Sequence, residues 1–295
     1  MKLLGKISLL FCAWAFVLSC AGNVDPESET GNGDDNPDVE NPQESLDSGY
    51  AQKMLAMQFT STGCVECPLL GEALKNICNH HPGKIVPVAF HMDYGSTADP
   101  MTLSVNSKFY EKVTWHSAGM VGLPLLSLNF RMGSQHIINE YAKIESEITS
   151  QAELYPAVCG VALETAYDAS SRKLEVTASF NPDVAGEYRY HLFVVESGIA
   201  GYQSGVENGN YIHDNVLRIV SADNVLGARL NSGNALVPGT EYKVTRTFTL
   251  NQDWKASQMR VVAAVLNTSD GGKTYGVNNV NECAVGENAG YEYED

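Results

Sequence analysis

The chain has 295 residues, 44% of them apolar by type, which suits a globular protein with room for two ordinary domains. Acidic residues outnumber basic ones 35 to 19, for a formal net charge of −16. That balance argues against electrostatic binding of nucleic acid or of an anionic lipid surface.

Residues 1–19 read as a targeting segment. Lys2 and Lys6 give a basic start, and Ile7 to Leu18 is an apolar run too short to span a bilayer. Leu18-Ser19-Cys20-Ala21 resembles the bacterial lipobox, which implies cleavage before Cys20 and lipidation of its sulfur. An ordinary signal peptide with a coincidental cysteine is the plainer alternative. Residues 20–49 then read as an acidic, disordered tether. Positions 21–48 carry nine acids, three prolines and no Lys or Arg, too little apolar surface to order the segment. The membrane partner expected is therefore a lipid anchor. Seven cysteines are present, and five remain after Cys12 and Cys20 are set aside, so at least one is free or pairs with another chain.

Residues 50–155 alternate strand and helix. Met54 to Phe59 alternates as a strand and leads through Thr60-Ser61-Thr62-Gly63 into Cys64-Val65-Glu66-Cys67-Pro68. Leu69, Leu70, Ala73, Leu74 and Ile77 then fall at helical spacing, and Lys84 to Met92 is an apolar run expected for a strand buried on both faces. Met101 to Trp115 predicts a helix, Val121 to Phe130 a strand opened by Pro124, and Ile137, Tyr141, Ile144 and Ile148 a last helix. Strand, turn and Cys-x-x-Cys at a helix start is the layout of a thioredoxin-like redox motif. With Leu123-Pro124 opening a later strand, the segment resembles the thioredoxin-like fold. By that resemblance Pro124 is a cis-proline set against the dithiol; a trans proline on an edge strand is the alternative.

In a working dithiol Cys64 is the solvent-facing nucleophile, its thiolate favoured by the helix N-terminus, and Cys67 the buried resolving thiol. Gly63, where thioredoxin has tryptophan, and Glu66 between the cysteines both oppose that role. A permanent disulfide in a binding scaffold is the competing reading. A zinc site from Cys64, Cys67 and one of His80, His81 or His91 is a weaker third, because a single Cys-x-x-Cys lacks a matched second pair. No metal and no cofactor is expected. His80 and His81 read as a polar helix cap, and His91 and Asp93 end a strand where they could line the same site.

Residues 156–295 switch to period two. Val158–Thr165, Lys173–Phe180, Tyr188–Glu196, Tyr242–Leu250, Met259–Asn267 and Thr274–Ala284 read as strands, with a turn expected at Asn267 to Gly272. An antiparallel β-sandwich of immunoglobulin-like type follows. The fold class expected is α/β plus all-β. Cys159 and Cys283, in the first and last strands, could form a disulfide or stay buried thiols. Between the third and fourth strands lies a long, loop-rich insert holding Gln203 and Tyr211-x-His213-x-Asn215-Val216-Leu217-Arg218. Glu196 and Arg218 are expected to pair, with Tyr211 and His213 satisfying backbone groups; a ligand- or partner-binding rim is the alternative.

Glu196, Gln203 and the Tyr211–Arg218 run, with Cys-x-x-Cys-Pro after a first strand and Pro124 to Asn129 after it, resemble the outer-membrane-protein-28 family of Bacteroidetes lipoproteins. The resemblance implies an outer-membrane or surface antigen with a thioredoxin-like and a sandwich domain. Two functions compete: a binding or adhesin-like module with a protein partner, and an envelope thiol–disulfide oxidoreductase acting on a thiol substrate through Cys64 and Cys67.

Overall fold

The computed structural model describes residues 49–115, 122–131, 137–138, 141–268 and 275–294. The signal segment, Cys20, nearly all of the acidic tether and most of the turn expected at Asn267 to Gly272 lie outside them.

The alternating run after Gly49 forms β1 (Met54–Thr60), followed by α1 (Cys67–His80), β2 (Ile85–His91) and α2 (Ser104–Val113). After these come β3 (Leu125–Leu128), β4 (Ile137–Ile138) and α3 (Ile144–Leu154). β1 runs parallel to β2, Met54 opposite Ile85 through Thr60 opposite His91, and antiparallel to β3. The Leu123–Pro124 peptide bond that opens β3 is cis. Ile137 and Ile138 pair with β3 and do not start the last helix, which begins at Ile144. Two adjacent isoleucines suit a strand and a helical stripe alike, and here strand pairing wins.

The second half contributes β5 (Cys159–Asp168), β6 (Lys173–Pro182), β7 (Tyr188–Glu196), β8 (Ile199–Tyr202) and β9 (Asn210–His213). β10 (Val216–Val220), β11 (Ala228–Arg229), β12 (Tyr242–Thr249), β13 (Met259–Thr268), β14 (Tyr275–Ala284) and β15 (Asn288–Ala289) complete it. The chain is thus mostly β, with mixed and antiparallel sheets and three α-helices among the described residues.

The insert expected as loop is largely strand. β8 and β9 form a two-stranded flap, and β10 enters the main sheet between β7 and β2, parallel to the latter. A register shift between Leu217 and Ile219 hides its alternation from the sequence. The strands of the second half are therefore not all in one sandwich. One nine-stranded sheet runs β14-β13-β7-β10-β2-β1-β3-β4 with β11 beside β7, and a four-stranded sheet runs β12-β6-β5-β15.

β7 and β13 form the wall between two cores. Leu192, Val194, Val261, Ala263 and Val265 pack toward Val161, Val176 and Phe180 of the smaller sheet. Their neighbours Phe193, Val195, Val262, Ala264 and Leu266 pack toward Phe90 and the α2 residues Phe109 and Val113. A strand buried on both faces needs apolar residues without alternation, which is why β7 reads Tyr-Arg-Tyr-His-Leu-Phe-Val-Val-Glu. A third core lies on the other side of β1, where Met54 and Ala56 meet Leu70, Leu74, Ile144 and Ile148 of α1 and α3.

β14 is tied down by carboxamides. Asn279 donates to the carbonyls of Ala51 and Cys159 and accepts from the amides of Lys53 and Val280. Asn281 donates to Val161 and Gly290 carbonyls and accepts from Lys53 Nζ and the Glu282 amide. The chain enters beside its last strand: Tyr50 bridges Tyr293 antiparallel and the two rings stack at 5.2 Å. Asn279→Ala leaves the Ala51 and Cys159 carbonyls unpaired, and Asn281→Ala those of Val161 and Gly290. Each is expected to lower stability by about 2–4 kcal/mol, read as a lower urea midpoint at unchanged slope.

Candidate functional site

The turn after β1 holds the two cysteines. Cys64 and Cys67 are joined in a disulfide, with Cα atoms 5.4 Å apart, and Cys67 starts α1 with Pro68 in its first turn. Pro68 removes one N–H from the set that a helix start leaves without an intrahelical partner. As disulfide sulfurs, Cys64 and Cys67 are not metal ligands.

Each of the two cysteines is only 2% exposed, so Cys64 is not the solvent-facing thiol expected. The cover comes from 140 residues away, where the segment after β8 lies over the turn. Gln203 Nε2 donates to the carbonyls of Ser61 (3.1 Å) and Cys64 (2.8 Å), and the Ser204 amide donates to Thr62 (2.8 Å). Gly205 follows at φ +82°, so close that a Cβ there would stand 2.3 Å from the Val65 carbonyl oxygen. Only glycine allows the backbone both that conformation and that approach.

A buried acid fixes the other side of the turn. Asp99 Oδ2 accepts the Thr62 amide (2.7 Å) and His91 Nδ1 (2.9 Å), and Oδ1 accepts the Met101 amide. Burial alone would raise the Asp99 carboxyl, but the His91 hydrogen bond and charge and the two amides outweigh it and hold it below its ordinary range. The His213 ring meets His91 edge-on at 5.3 Å, and its Nε2 hydrogen-bonds the Tyr202 carbonyl. Burial, then the neighbouring His91, lowers His213 to about 4.

Beside these residues, α1, the ends of β1 and β2, and the stretch from β9 into β10 enclose a cavity of about 500 Å³. On β1 and β2 the positions facing α1 are Met54, Ala56, Gln58 and Thr60, and Ile85, Pro87, Ala89 and His91. The first of each set fill the core with α1, and the last are polar or small and line the cavity. Tyr211 reaches over from β9 until its hydroxyl stands 3.0 Å from where a Cβ on Gly71 would be. A second cavity of about 460 Å³, lined by Thr62, Thr97, Tyr202 and Arg218, lies on the far side of His213, which borders both.

The sequence-predicted residues divide accordingly. Cys67, His91, Tyr211 and His213 meet around the first cavity, and Cys64 lies in the turn beside it. Pro124 stands at the same end of the sheet as that turn, one residue before the Leu125–Phe59 pair. Glu196 and Arg218 form the expected ion pair at 2.8 Å, and Arg218 also covers Trp254. His81 pairs with Glu145 of α3 at 2.6 Å, and Asp93 accepts the Asp99 amide.

Cys159 and Cys283 form no bridge: both are free, buried thiols. Asn279 sits opposite Cys159, and Cys283 lies four residues further along β14 near Thr165. Four residues of strand span roughly 13 Å, beyond disulfide reach. Burial pushes the Cys283 thiol up to about 11. Asp99, Gln58 and Thr60 escaped the sequence reading. For the last two the signal is there, as polar side chains at core-facing positions of a strand.

The family model for outer membrane protein Omp28 matches residues 111–289, more than half of the chain. The chain belongs to the Omp28 family. Membership places it at the outer membrane, and no helix among the described residues is long and apolar enough to cross a membrane. The match begins after the disulfide turn and takes in the whole insert. HBP35 of Porphyromonas gingivalis has a similar fold, with a TM-score of 0.66 at 15% identity over 80% of this chain and 76% of that one. A protein from Agrobacterium tumefaciens matches with a TM-score of 0.53 at 16% identity, over 80% of this chain and 96% of that one. A domain of the outer membrane lipoprotein Omp28 from P. gingivalis overlaps 44% of this chain and 89% of its own length at 14% identity, with a TM-score of 0.26. No protein of curated function matches the sequence.

His213 in this Omp28-family chain gives a pH dependence. Its folded pKa of about 4 lies below the unfolded value of about 6.5, so the unfolded chain takes the proton first. The stability of the neutral ring is fully present above pH 6.5 and is lost as pH falls toward 4, by at most about 3 kcal/mol. His213→Gln, which keeps a donor for the Tyr202 carbonyl, should give a shallower fall in urea midpoint across that window than the parent.

Proposed function

We propose that the chain is a binding module, adhesin-like in use, held at the outer membrane through a lipid on Cys20 after removal of residues 1–19 and spaced from it by residues 20–49. Its scaffold is read as a thioredoxin-like segment over 50–155, followed by an immunoglobulin-like β-sandwich segment over 156–295. The parallel β1–β2 pair, α1 opening at Cys67 and the antiparallel β3 after a cis-proline support the first part. The face-to-face packing of β5, β6 and β12 on β7 and β13 supports the second.

The observation that carries this reading is the burial of both cysteines beneath Gln203, Ser204 and Gly205. Thiol–disulfide exchange needs a thiolate to approach one sulfur along the S–S axis. Here both cysteines are 2% exposed beneath a segment hydrogen-bonded to the backbone of their turn, which leaves a macromolecular thiol little access to them. The disulfide acts as a strut that gives the insert a rigid seat, and binding falls to the surface the insert shapes. Within that surface Tyr211 and His213 face a cavity, while Glu196 and Arg218 brace the strand ends behind it.

Oxidoreductase activity on a thiol substrate is the second reading, favoured by the position of the disulfide at a helix start and the Asp99–His91 pair beside it. A redox titration of the folded chain with an insulin-reduction assay separates the two. A potential below about −300 mV with no turnover is expected, and turnover together with mixed disulfides trapped by Cys67→Ser would overturn the binding reading. Replacing both cysteines by alanine should cost about 2 kcal/mol for so short a loop.

A further inference from the structure

The cavity between α1 and the β9–β10 stretch has a chemistry of its own. Its floor is neutral. Gln58 is 9% exposed and Thr60 6%, both face the cavity, and neither side chain hydrogen-bonds to any described residue. The polar atoms of this largely buried carboxamide and hydroxyl open onto the cavity, so their donors and acceptors are left for whatever fills it, water or ligand. β1 has Met54 and Ala56 at the preceding positions of the same face, so apolar side chains are accommodated there and the polar pair is a departure from the pattern of the strand.

The mouth is acidic. Glu72 of α1 and Asp214 after β9 flank the Tyr211 hydroxyl, and both charges act on it: burial first, then Asp214 and Glu72, raise its pKa. Asp214 spends one oxygen on the Gly198 amide, 2.8 Å away. Lys75, one turn further along α1, supplies a single positive charge against these two carboxylates. The ring of His213 completes the wall. Gly71 permits the arrangement, because any Cβ at that position would push the Tyr211 hydroxyl away from α1.

We infer that this cavity binds a small ligand bearing a protonated primary amine next to a neutral hydrogen-bonding group, with the ammonium between Glu72, Asp214 and the Tyr211 ring and the neutral group on Gln58 and Thr60. A volume of about 500 Å³ lies within the usual range for small-molecule sites. Aromatic and carboxylate neighbours together are what an ammonium group seeks. The Gln58 carboxamide offers both a donor and an acceptor, which matches an amide or a hydroxyl and gives no counter-charge to an anion. The same chemistry is presented by the amino terminus of a peptide and by an amino sugar. This inference rests on the binding reading above and names the ligand class for it.

The test titrates the full folded chain, disulfide intact, with glycinamide and glucosamine and with the N-acetyl form of each, followed by NMR on isotope-labelled protein. At least one free amine should shift resonances of β1, α1 and β9 residues, and acetylation should weaken its binding by about ten-fold or more. Whichever amine binds more tightly identifies the peptide or the sugar as the source. Glu72→Gln with Asp214→Asn, both exposed positions that leave the core intact, should weaken the amine about ten-fold and its acetylated form little. Gln58→Leu should weaken both, with an unfolding curve confirming the fold. No binding of either amine, equal binding of amine and acetyl form, or indifference to the double substitution overturns the inference. Insulin turnover with amine binding retained would instead overturn the reading of the disulfide and leave the ligand class standing.

Discussion

Strands β7 and β13 are the members on which both halves of the molecule lean. Every residue of β7 is buried, and its alternate side chains feed two different hydrophobic clusters, so neither core closes without it. Burying one such Val, Leu or Phe contributes about 2 kcal/mol, and the two strands together carry eight. β10 extends this wall to β2, so the strand that precedes the histidine pair and the strands that face the smaller sheet share one hydrogen-bonded framework. The division at residues 155 and 156 is a division of the sequence, and the sheet crosses it without a break.

That framework explains how residues far apart in the chain meet at the cysteine turn. β7 ends at Glu196 next to the beginning of the flap, and β10 starts at Val216, opposite both Glu196 and Ala89. The flap is thereby pinned at both ends to the edge where β1 and β2 finish. Its tip has only one place to lie, across the turn between Thr60 and Cys67, and the Glu196–Arg218 ion pair holds its base. Removing one partner of that pair would leave a nearly buried charge alone, which is why its value lies in geometry more than in net stability.

Much of this was legible in the residues. Periodicity placed most of the strands and the three helices, because long alternating or continuous apolar runs have few competing interpretations. The same periodicity gave the β-α-β order, and the resemblance to the thioredoxin-like fold implied the cis bond at Pro124. What the sequence hid was pairing over long range. β10 is five residues long and irregular, and nothing local says that Val216 pairs with Ala89. The same gap concealed the burial of Cys64: its cover is the Gln203–Gly205 segment, whose carboxamide bonds a residue 139 positions away, and no spacing rule connects them. Asp99 gives no local signal at all, since Ala98-Asp99-Pro100 reads as an ordinary turn. Gln58 and Thr60 were readable in principle, as polar residues on the apolar face of a strand.

The entry of the chain carries a mechanical consequence. Backbone hydrogen bonds run from Ala51 N–H to the Glu292 carbonyl and from Glu294 N–H to the Gly49 carbonyl, so the first described residues make an antiparallel contact with the last. Tension applied at Gly49 would meet that short ladder, the Tyr50–Tyr293 stack and the Asn279 carboxamide before it reached β1. Pulled at that point, the fold would yield first at this clasp, by peeling a few bonds in turn, before load reached the sheet that shapes the cavity. The clasp is a shock absorber built from the first and the last described segments of the chain.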